Sequence, residues 1–138
     1  MLKRLNTKTN KGFTIIEVLI TILILTTGGL AAYSMVQQIV FSTFASSYRL
    51  TAAYLAKEGI ETVRNMRDTN WLDPTNPSWS EGLENTGWIT HTELPKYQTR
   101  TTITSNVADE LKVYVDVQWT ERGDTHTITV QENLYNWY

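Results

Sequence analysis

The chain has no cysteine, only three prolines and only two histidines among its 138 residues. Without cysteine it has no disulfide framework and no thiolate chemistry. The histidines, His91 and His126, belong to no cluster with metal-ligand spacing. The sequence also contains no nucleophile elbow, phosphate-cradling loop or dinucleotide fingerprint. We therefore expect a protein that is not an enzyme and that binds no cofactor or metal ion.

Positive charge is scarce beyond the first twelve residues. This short leader contains four cations and no acid, and the cations are Lys3, Arg4, Lys8 and Lys11. Without the leader, the net charge of the chain would change from −2 to −6, because four positive charges leave with it. A chain that acidic has no global attraction for nucleic acid, so we expect no direct nucleic acid binding.

An apolar run follows the basic leader. Residues 18–36 contain no charged side chain, and about 20 residues are enough to cross a bilayer as a helix. The only charge in residues 13–36 is Glu17, and a charge inside a membrane costs about 2.5–3.5 kcal/mol on insertion scales, so it calls for a functional explanation. Because basic residues favour the cytoplasmic side, the leader is predicted to be cytoplasmic and the C-terminal part to lie outside.

The junction between leader and apolar run reads Gly12-Phe13-Thr14-Ile15-Ile16-Glu17. It closely resembles the processing site of type IV prepilins and type II secretion pseudopilins. The resemblance implies cleavage after Gly12 by a prepilin peptidase, N-methylation of Phe13, and a glutamate fifth in the mature chain. It also implies an α+β type IV pilin fold, in which a long N-terminal helix, transmembrane in its first half, packs against three to four antiparallel strands.

The chemistry of the residues agrees with this resemblance. Glycine at position 12 lets the backbone lie extended in a peptidase cleft. The Phe13 amine released by cleavage would be a cation able to pair with Glu17 of a neighbouring subunit. Removing one partner of a buried pair typically costs about 3–5 kcal/mol, so this pair would fix the register of a filament. The alternative is that Glu17 only reaches the lipid headgroups.

Gly28 and Gly29 interrupt the apolar helix midway. Each glycine costs up to about 1 kcal/mol in a helix interior relative to alanine. Several proteins of the family that the junction resembles carry a helix-breaking proline in this region, whereas this chain has no proline between Phe13 and Asp73. The pair therefore either lets the helix unwind inside a filament or permits close helix packing in the membrane.

The helical pattern continues beyond the apolar run. Apolar residues recur every three or four positions and predict one buried stripe: Val40, Phe44, Tyr48, Ala52, Leu55, Gly59, Val63 and Met66. Charged residues fall on the opposite face, where Arg64 is predicted to form salt bridges with Glu61 and Asp68. With a stop near Asn70 and Asp73-Pro74, the helix is predicted from Phe13 to Asp68, roughly 80 Å at 1.5 Å per residue.

The C-terminal half is predicted to be a long loop followed by a sheet. Pro and Gly punctuate residues 69–95, in which three tryptophans either pin the loop onto the core or form a binding surface: Trp71, Trp79 and Trp88. Alternation then predicts three or four strands. One set of residues is predicted to share a face: Tyr97, Thr99, Thr101 and Ile103. A second set forms a clear inward series: Leu111, Val113, Val115, Val117 and Trp119. A hairpin turn is predicted at residues 121–124, and residues 134–138 are predicted to be packed down.

The sequence thus predicts four segments: a cytoplasmic leader (1–12), a transmembrane and assembly half of the helix (13–36), its exposed amphipathic half (37–68), and a loop plus antiparallel sheet (69–138). We expect a structural subunit of a type IV pilus or related filament. The segment Ala56–Trp71 looks like part of some minor pilins and favours a minor pilin.

Two alternatives remain open. A pseudopilin of a type II secretion or DNA-uptake machine would share the N-terminal chemistry, and a membrane-tethered binding protein would keep its leader. The partners implied by the resemblance are a prepilin peptidase and methyltransferase, other pilin subunits, an inner-membrane assembly platform and the lipid bilayer. The precursor is expected to be a single-pass membrane protein, and the assembled form to lie in an extracellular or envelope filament.

Overall fold

The computed structural model describes residues 12–75, 78–107 and 109–136. Three parts of the sequence predictions lie outside these residues: the leader apart from Gly12, the loop positions 76–77, and the aromatic end Trp137-Tyr138. The chain forms two compact units, Met1–Thr43 and Phe44–Tyr138, and each is described by itself.

A single helix, α1, runs from Ile15 to Leu72. Its first residue follows Thr14, whose Oγ1 accepts a hydrogen bond from the Glu17 N–H at 3.3 Å and so caps the helix. Compared with the predicted bounds, α1 begins two residues later and ends four residues later. Asn70 does not stop it, because its side chain leaves the helix surface and donates to the Trp79 and Glu81 carbonyls. The helix ends just before Asp73, which precedes proline and is therefore disfavoured in the helical region.

The first unit consists of the N-terminal part of α1. Among its described residues, the side chains from Gly12 to Val36 are exposed. By length and composition alone, α1 is able to cross a membrane: its most apolar 18-residue window has a mean hydropathy of 2.2 and none of that window is buried. An apolar helix so close to the N-terminus fits membrane anchoring.

The second unit contains a four-stranded antiparallel sheet in the order β1-β2-β3-β4. The strands are β1 (Ile89–Thr90), β2 (Tyr97–Val107), β3 (Glu110–Glu121) and β4 (Asp124–Tyr135). Arg122 and Gly123 form the two-residue turn between β3 and β4, with φ values of 54° and 92°, as the tightest hairpin turns require. The structure confirms the predicted α+β class and the hairpin. It also shows that residues 69–95 are not all loop, since they include the end of α1 and β1.

The core lies between one face of the sheet and the second half of α1. Twelve apolar side chains are buried in the described part of the chain: Ala52, Leu55, Ala56, Ile60, Val63, Tyr97, Leu111, Val113, Val115, Val117, Trp119 and Leu134. The closest approach is at Gly59, where an added Cβ would lie 2.8 Å from Val115 Cγ1. Gly59 therefore lets α1 pack directly against the centre of β3.

The predicted helix stripe was right in its middle and wrong at its ends. Phe44 and Met66 are exposed by 55% and 42%, whereas Ile60 is buried. The predicted positions from Val40 to Met66 advance by about 3.7 residues per turn on average, whereas a straight helix advances by about 3.6, so the two ends of the predicted stripe are rotated away from each other. At the C-terminal end, Arg67 is buried and Met66 is not.

Ion pairs tie α1 to the sheet. Arg64 contacts both Glu61 and Glu132 at 2.5 Å, and Glu132 lies on β4. These carboxylates, led by the hydrogen bond to Glu132, raise the pKa of Arg64. The predicted Arg64–Asp68 salt bridge was wrong, because Asp68 pairs with Arg67 and the Arg64 guanidinium is already taken by the two glutamates.

The aromatic residues of the loop have different roles. Trp79 is partly buried against the core, which confirms the pinning prediction for this residue. Trp71 belongs to α1 rather than to the loop, and its Nε1 donates to Asn136 Oδ1 at 3.3 Å. The Arg100 guanidinium lies over the Trp88 ring, with its Cζ atom 4.6 Å from the ring centroid. In the predicted C-terminal cluster, Leu134 is buried, while Tyr135 is 44% exposed.

Candidate functional site

The junction Gly12-Phe13-Thr14 precedes α1 and is not helical. All three residues are exposed, and Phe13 has 83% of its surface accessible. A Cβ added to Gly12 would meet nothing within 4 Å. The residues that the structure describes therefore give no reason for glycine at this position, and an outside partner that contacts the backbone closely would give one.

Glu17 lies in the first turn of α1. Its N–H donates to the capping Thr14 hydroxyl, and the residues Thr14-Ile15-Ile16-Glu17 form the threonine-x-x-glutamate pattern of a capping box. The positive end of the helix dipole stabilises a carboxylate at this position. In residues 12–75, 78–107 and 109–136, no cationic side chain pairs with Glu17.

The role of Thr14 was not predicted from the sequence. The signal was present, because a threonine three residues before a glutamate at the start of an apolar run is the sequence signature of a helix start. Glu17 thus has a role within its own chain in addition to the predicted role between chains.

Gly28 and Gly29 lie in the middle of the apolar part of α1. An added Cβ at either position meets nothing within 4 Å, so no contact within the chain requires glycine. The two residues before them, Thr26 and Thr27, donate their hydroxyls to the carbonyls of Ile22 and Leu23 at 2.9 and 2.7 Å. Such back-bonding slightly destabilises helices, and two glycines add to this effect at the next two positions.

The face of the sheet that points away from α1 is polar. At its centre, Asp116 on β3 accepts a hydrogen bond from the Thr129 hydroxyl at 2.6 Å and pairs with Arg100 at 2.6 Å. The bond from Thr129, followed by the hydrogen bond and charge of Arg100, holds the pKa of Asp116 below its ordinary value despite the opposing effect of burial. This network links β2, β3 and β4, and Trp88 stacks on its Arg100 end.

An apolar cavity of about 390 Å³ lies within the second unit, beside Gly59 of α1. Its lining includes Met66, Leu83, Ile89 and Ile103, with Glu84 and His91 among the polar residues. Met66 and Ile89 are exposed, so the cavity opens to the surface.

The histidines make ordinary structural contacts. His91 Nε2 lies 2.7 Å from Thr99 Oγ1, and His126 stacks on Trp119 with ring centroids 5.4 Å apart. Over the described part of the chain, no three His, Cys, Asp or Glu side chains are grouped so that they could hold a metal ion.

Comparison with known proteins gives one match, which covers a short N-terminal segment. Residues 7–33 match the model of the prokaryotic N-terminal methylation motif. No curated protein and no solved structure matches the chain. The matched segment contains Gly12, Phe13, Glu17, Gly28 and Gly29. The chain thus carries the motif that is the hallmark of type IV pilin and pseudopilin prepilin-like proteins, and the motif points to a structural subunit.

Proposed function

We propose that the chain is the precursor of a type IV pilin of the minor kind, which is cleaved after Gly12, N-methylated at Phe13 and assembled into a filament. The observation that carries the proposal is the methylation motif at residues 7–33. Its partners would be a prepilin peptidase with methyltransferase activity, other pilin subunits and an assembly platform in the membrane.

The geometry of the junction supports processing at Gly12. A peptidase needs an extended, accessible backbone, and residues 12–14 are non-helical and exposed. Because α1 begins at Ile15, cleavage would leave Phe13 and Thr14 ahead of an intact helix. The glycine, which the fold itself does not need, would serve the peptidase.

The position of Glu17 supports assembly. The described residues provide no cation for its carboxylate, although a carboxylate surrounded by apolar residues needs one. The Phe13 amine of an adjacent subunit would supply this cation. Within one chain, Glu17 lies in the first turn of α1. The positive end of the helix dipole favours a negative charge there and disfavours a positive one.

The cleavage site is tested with two substitutions of Gly12 in cells that contain the peptidase. Gly12→Trp places a large side chain at the scissile position and should accumulate the precursor, whereas Gly12→Ala should be processed better. Intact-mass analysis of the membrane-extracted protein measures the fraction that retains residues 1–12. Normal processing of Gly12→Trp would show that the site lies elsewhere.

Assembly is tested by Glu17→Gln, which keeps the size of the side chain and removes its charge. The variant should insert into the membrane and be cleaved, but its incorporation into filaments should fall by about tenfold or more, as expected for a buried pair that has lost one charge. Glu58→Gln, the same change at an exposed position of α1, is the matched control. Equal incorporation of both variants would contradict the charge pairing.

The two hypotheses for Gly28 and Gly29 make different predictions. If the helix must unwind here, replacing both residues by alanine strengthens the helix by up to about 2 kcal/mol and should already reduce assembly. If the glycines only allow close packing, alanine should be tolerated and leucine should not. Quantification of subunits in sheared filaments separates the two outcomes.

A pseudopilin carries the same N-terminal motif, so processing does not distinguish it from a pilin. Deletion of the gene followed by assays of surface fibres, protein export and transformation separates these roles. A membrane-tethered binding protein differs from both, because it would keep residues 1–12 in the presence of a working peptidase.

A further inference from the structure

The outer edge of β4 has the geometry of a site that accepts another strand. β4 is the last strand in the sheet order, and all twelve of its residues pair with β3 without a bulge. Glu121 and Asp124 flank the two-residue turn and face each other across the hairpin. The two residues that flank such a turn exchange backbone hydrogen bonds, so Glu121 and Asp124 are a hydrogen-bonded pair. Even-numbered residues of β4 therefore bond to β3, and the N–H of Asn136 continues this pattern by donating to the Asp109 carbonyl.

The odd-numbered residues of β4 point their N–H and C=O groups away from β3. Five of them, all with exposed side chains, follow at alternate positions along the strand: Thr125, Thr127, Thr129, Gln131 and Asn133. In the described part of the chain, none of their outward backbone groups bonds to another segment. They form a row of donors and acceptors spaced for an extended polypeptide.

β4 has few of the features that usually protect a sheet edge, and its inward-pointing charge, Glu132, is already paired with Arg64. Residues 124–135 contain no proline, lysine or arginine, and the five outward residues are uncharged. The opposite side of the sheet is protected: beyond the two-residue β1, the outer edge of β2 is covered by Thr86, which donates to the Thr101 carbonyl, and by Asn85, which accepts from the Ile103 N–H. β2 is also irregular between Thr104 and Val107. One edge is thus closed and the other open.

A second copy of the chain does not fit this edge in a filament. Pairing of β4 with β4 of a copy would place a two-fold axis normal to the sheet and reverse the direction of helix residues 44–72, whereas the subunits of one filament all point the same way. A copy in the same orientation would present its β1 side, where only two residues form a strand. This exclusion of a second copy depends on the proposed function, because it assumes a filament. The observation that the β4 edge is open does not depend on the proposed function.

We propose that the β4 edge binds an extended segment of a different protein, which adds a fifth antiparallel strand to the sheet. Over the helix side of the sheet, this segment would place apolar side chains beside Ile128 and Val130, which are only partly buried. Over the other side it would place small polar side chains beside Thr127 and Thr129. The partner is therefore a strand of at least five residues with alternating apolar and polar side chains.

The probe is a fluorescent synthetic peptide with the sequence of β3, residues 110–121, because this strand already pairs with β4 inside the chain. A peptide of the same composition with the alternation destroyed is the control. Binding to the full-length chain in detergent micelles is followed by fluorescence anisotropy. The alternating peptide should bind, and the control peptide should bind at least about tenfold more weakly, since its apolar side chains fall on both faces.

Two substitutions locate the binding. Thr127→Pro removes an outward N–H without removing a bond to β3 and should weaken binding about tenfold. Thr127→Lys places a charge on the edge and should also weaken it, whereas Thr104→Lys, the same change at an exposed position of β2 on the same face, should not. If the three variants bind the peptide as the wild-type chain does, the peptide occupies another place, such as the cavity beside Gly59, and the proposal is wrong.

Amide hydrogen exchange of the wild-type chain gives a readout that needs no variant. The N–H groups of the odd-numbered residues 125–133 should exchange fast in the free chain and slowly with the peptide. Those of Ile128 and Val130 bond to β3 and should be protected in both states.

Absence of protection on peptide addition would overturn the proposal. Protection of the odd-numbered amides without peptide, lost on dilution, would show that another copy occupies the edge and would overturn the assignment to a different protein. Neither result depends on cleavage after Gly12.

Discussion

Gly59→Ala is a sharp test of the packing between α1 and the sheet. The added Cβ would lie 2.8, 3.3 and 3.6 Å from the Cγ1, Cγ2 and Cβ atoms of Val115. Val115 is fully buried and paired with Thr101 and Val130 on either side, so its backbone cannot retreat, and its β-branched side chain is stiff. Something in this contact must shift.

Two opposing effects decide the result. Replacing glycine by alanine inside a helix stabilises it by about 1 kcal/mol, whereas forcing an extra carbon into a packed core costs about 1–3 kcal/mol. We expect the clash to prevail, with the free energy of unfolding lower by about 1 kcal/mol and a Tm lower by several degrees. The measurement is thermal unfolding of the full-length chain in detergent, followed by tryptophan fluorescence.

Two further variants identify the cause. Gly29→Ala, where the added Cβ meets nothing, should not lower the Tm. In a double-mutant cycle, Val115→Ala removes the methyl groups that clash, so the double variant should be more stable than the sum of the two single losses by about 1 kcal/mol or more. A rise in Tm for Gly59→Ala alone, as helix propensity by itself requires, would refute the proposed close packing.

Three other substitutions test the sheet. The hydrogen bond from Thr129 and the charge of Arg100 lower the pKa of Asp116. They therefore contribute stability that is present above the ordinary carboxyl pKa and is lost as the pH falls through the lowered pKa. In urea unfolding, Asp116→Asn should cost about 1–2 kcal/mol at pH 7 and progressively less as the pH falls through that lowered pKa. Gly123→Ala, at a φ of 92°, should cost about 1–2 kcal/mol by the same measurement. Arg64→Gln should cost at most about 1 kcal/mol, because the pair is partly exposed, and less in high salt.

The sheet was predictable where its sequence has a period. The series from Leu111 to Trp119 alternates without interruption, and every one of these odd-numbered residues is buried. β1 has only two residues, too few for a period, and it forms because Ile89 and Thr90 pair with β2. Long-range pairs such as Arg64–Glu132 depend on the register of distant segments, which a single sequence does not contain.

The candidate site was predictable to a different extent. Its residues follow one another in the sequence, so their order alone identified Gly12, Phe13 and Glu17, and the family comparison confirms the motif in which they lie. Their individual roles remain predictions. The capping function of Thr14 was predictable as well, because a threonine three residues before a glutamate at the start of an apolar run is the pattern of a helix start.

The hydroxyl groups of the apolar helix affect how a membrane would meet it. Thr21, Thr26, Thr27 and Ser34 each donate a hydrogen bond to a carbonyl three or four residues earlier, so none of these hydroxyls needs water. A hydropathy scale assigns each of these hydroxyl groups the full free energy of transfer from water to hydrocarbon. Such a scale therefore underestimates the affinity of this helix for lipid. In hydrocarbon these four positions would behave as nearly aliphatic, so the depth of residues 13–36 in a membrane would depend mainly on Glu17, their one carboxylate.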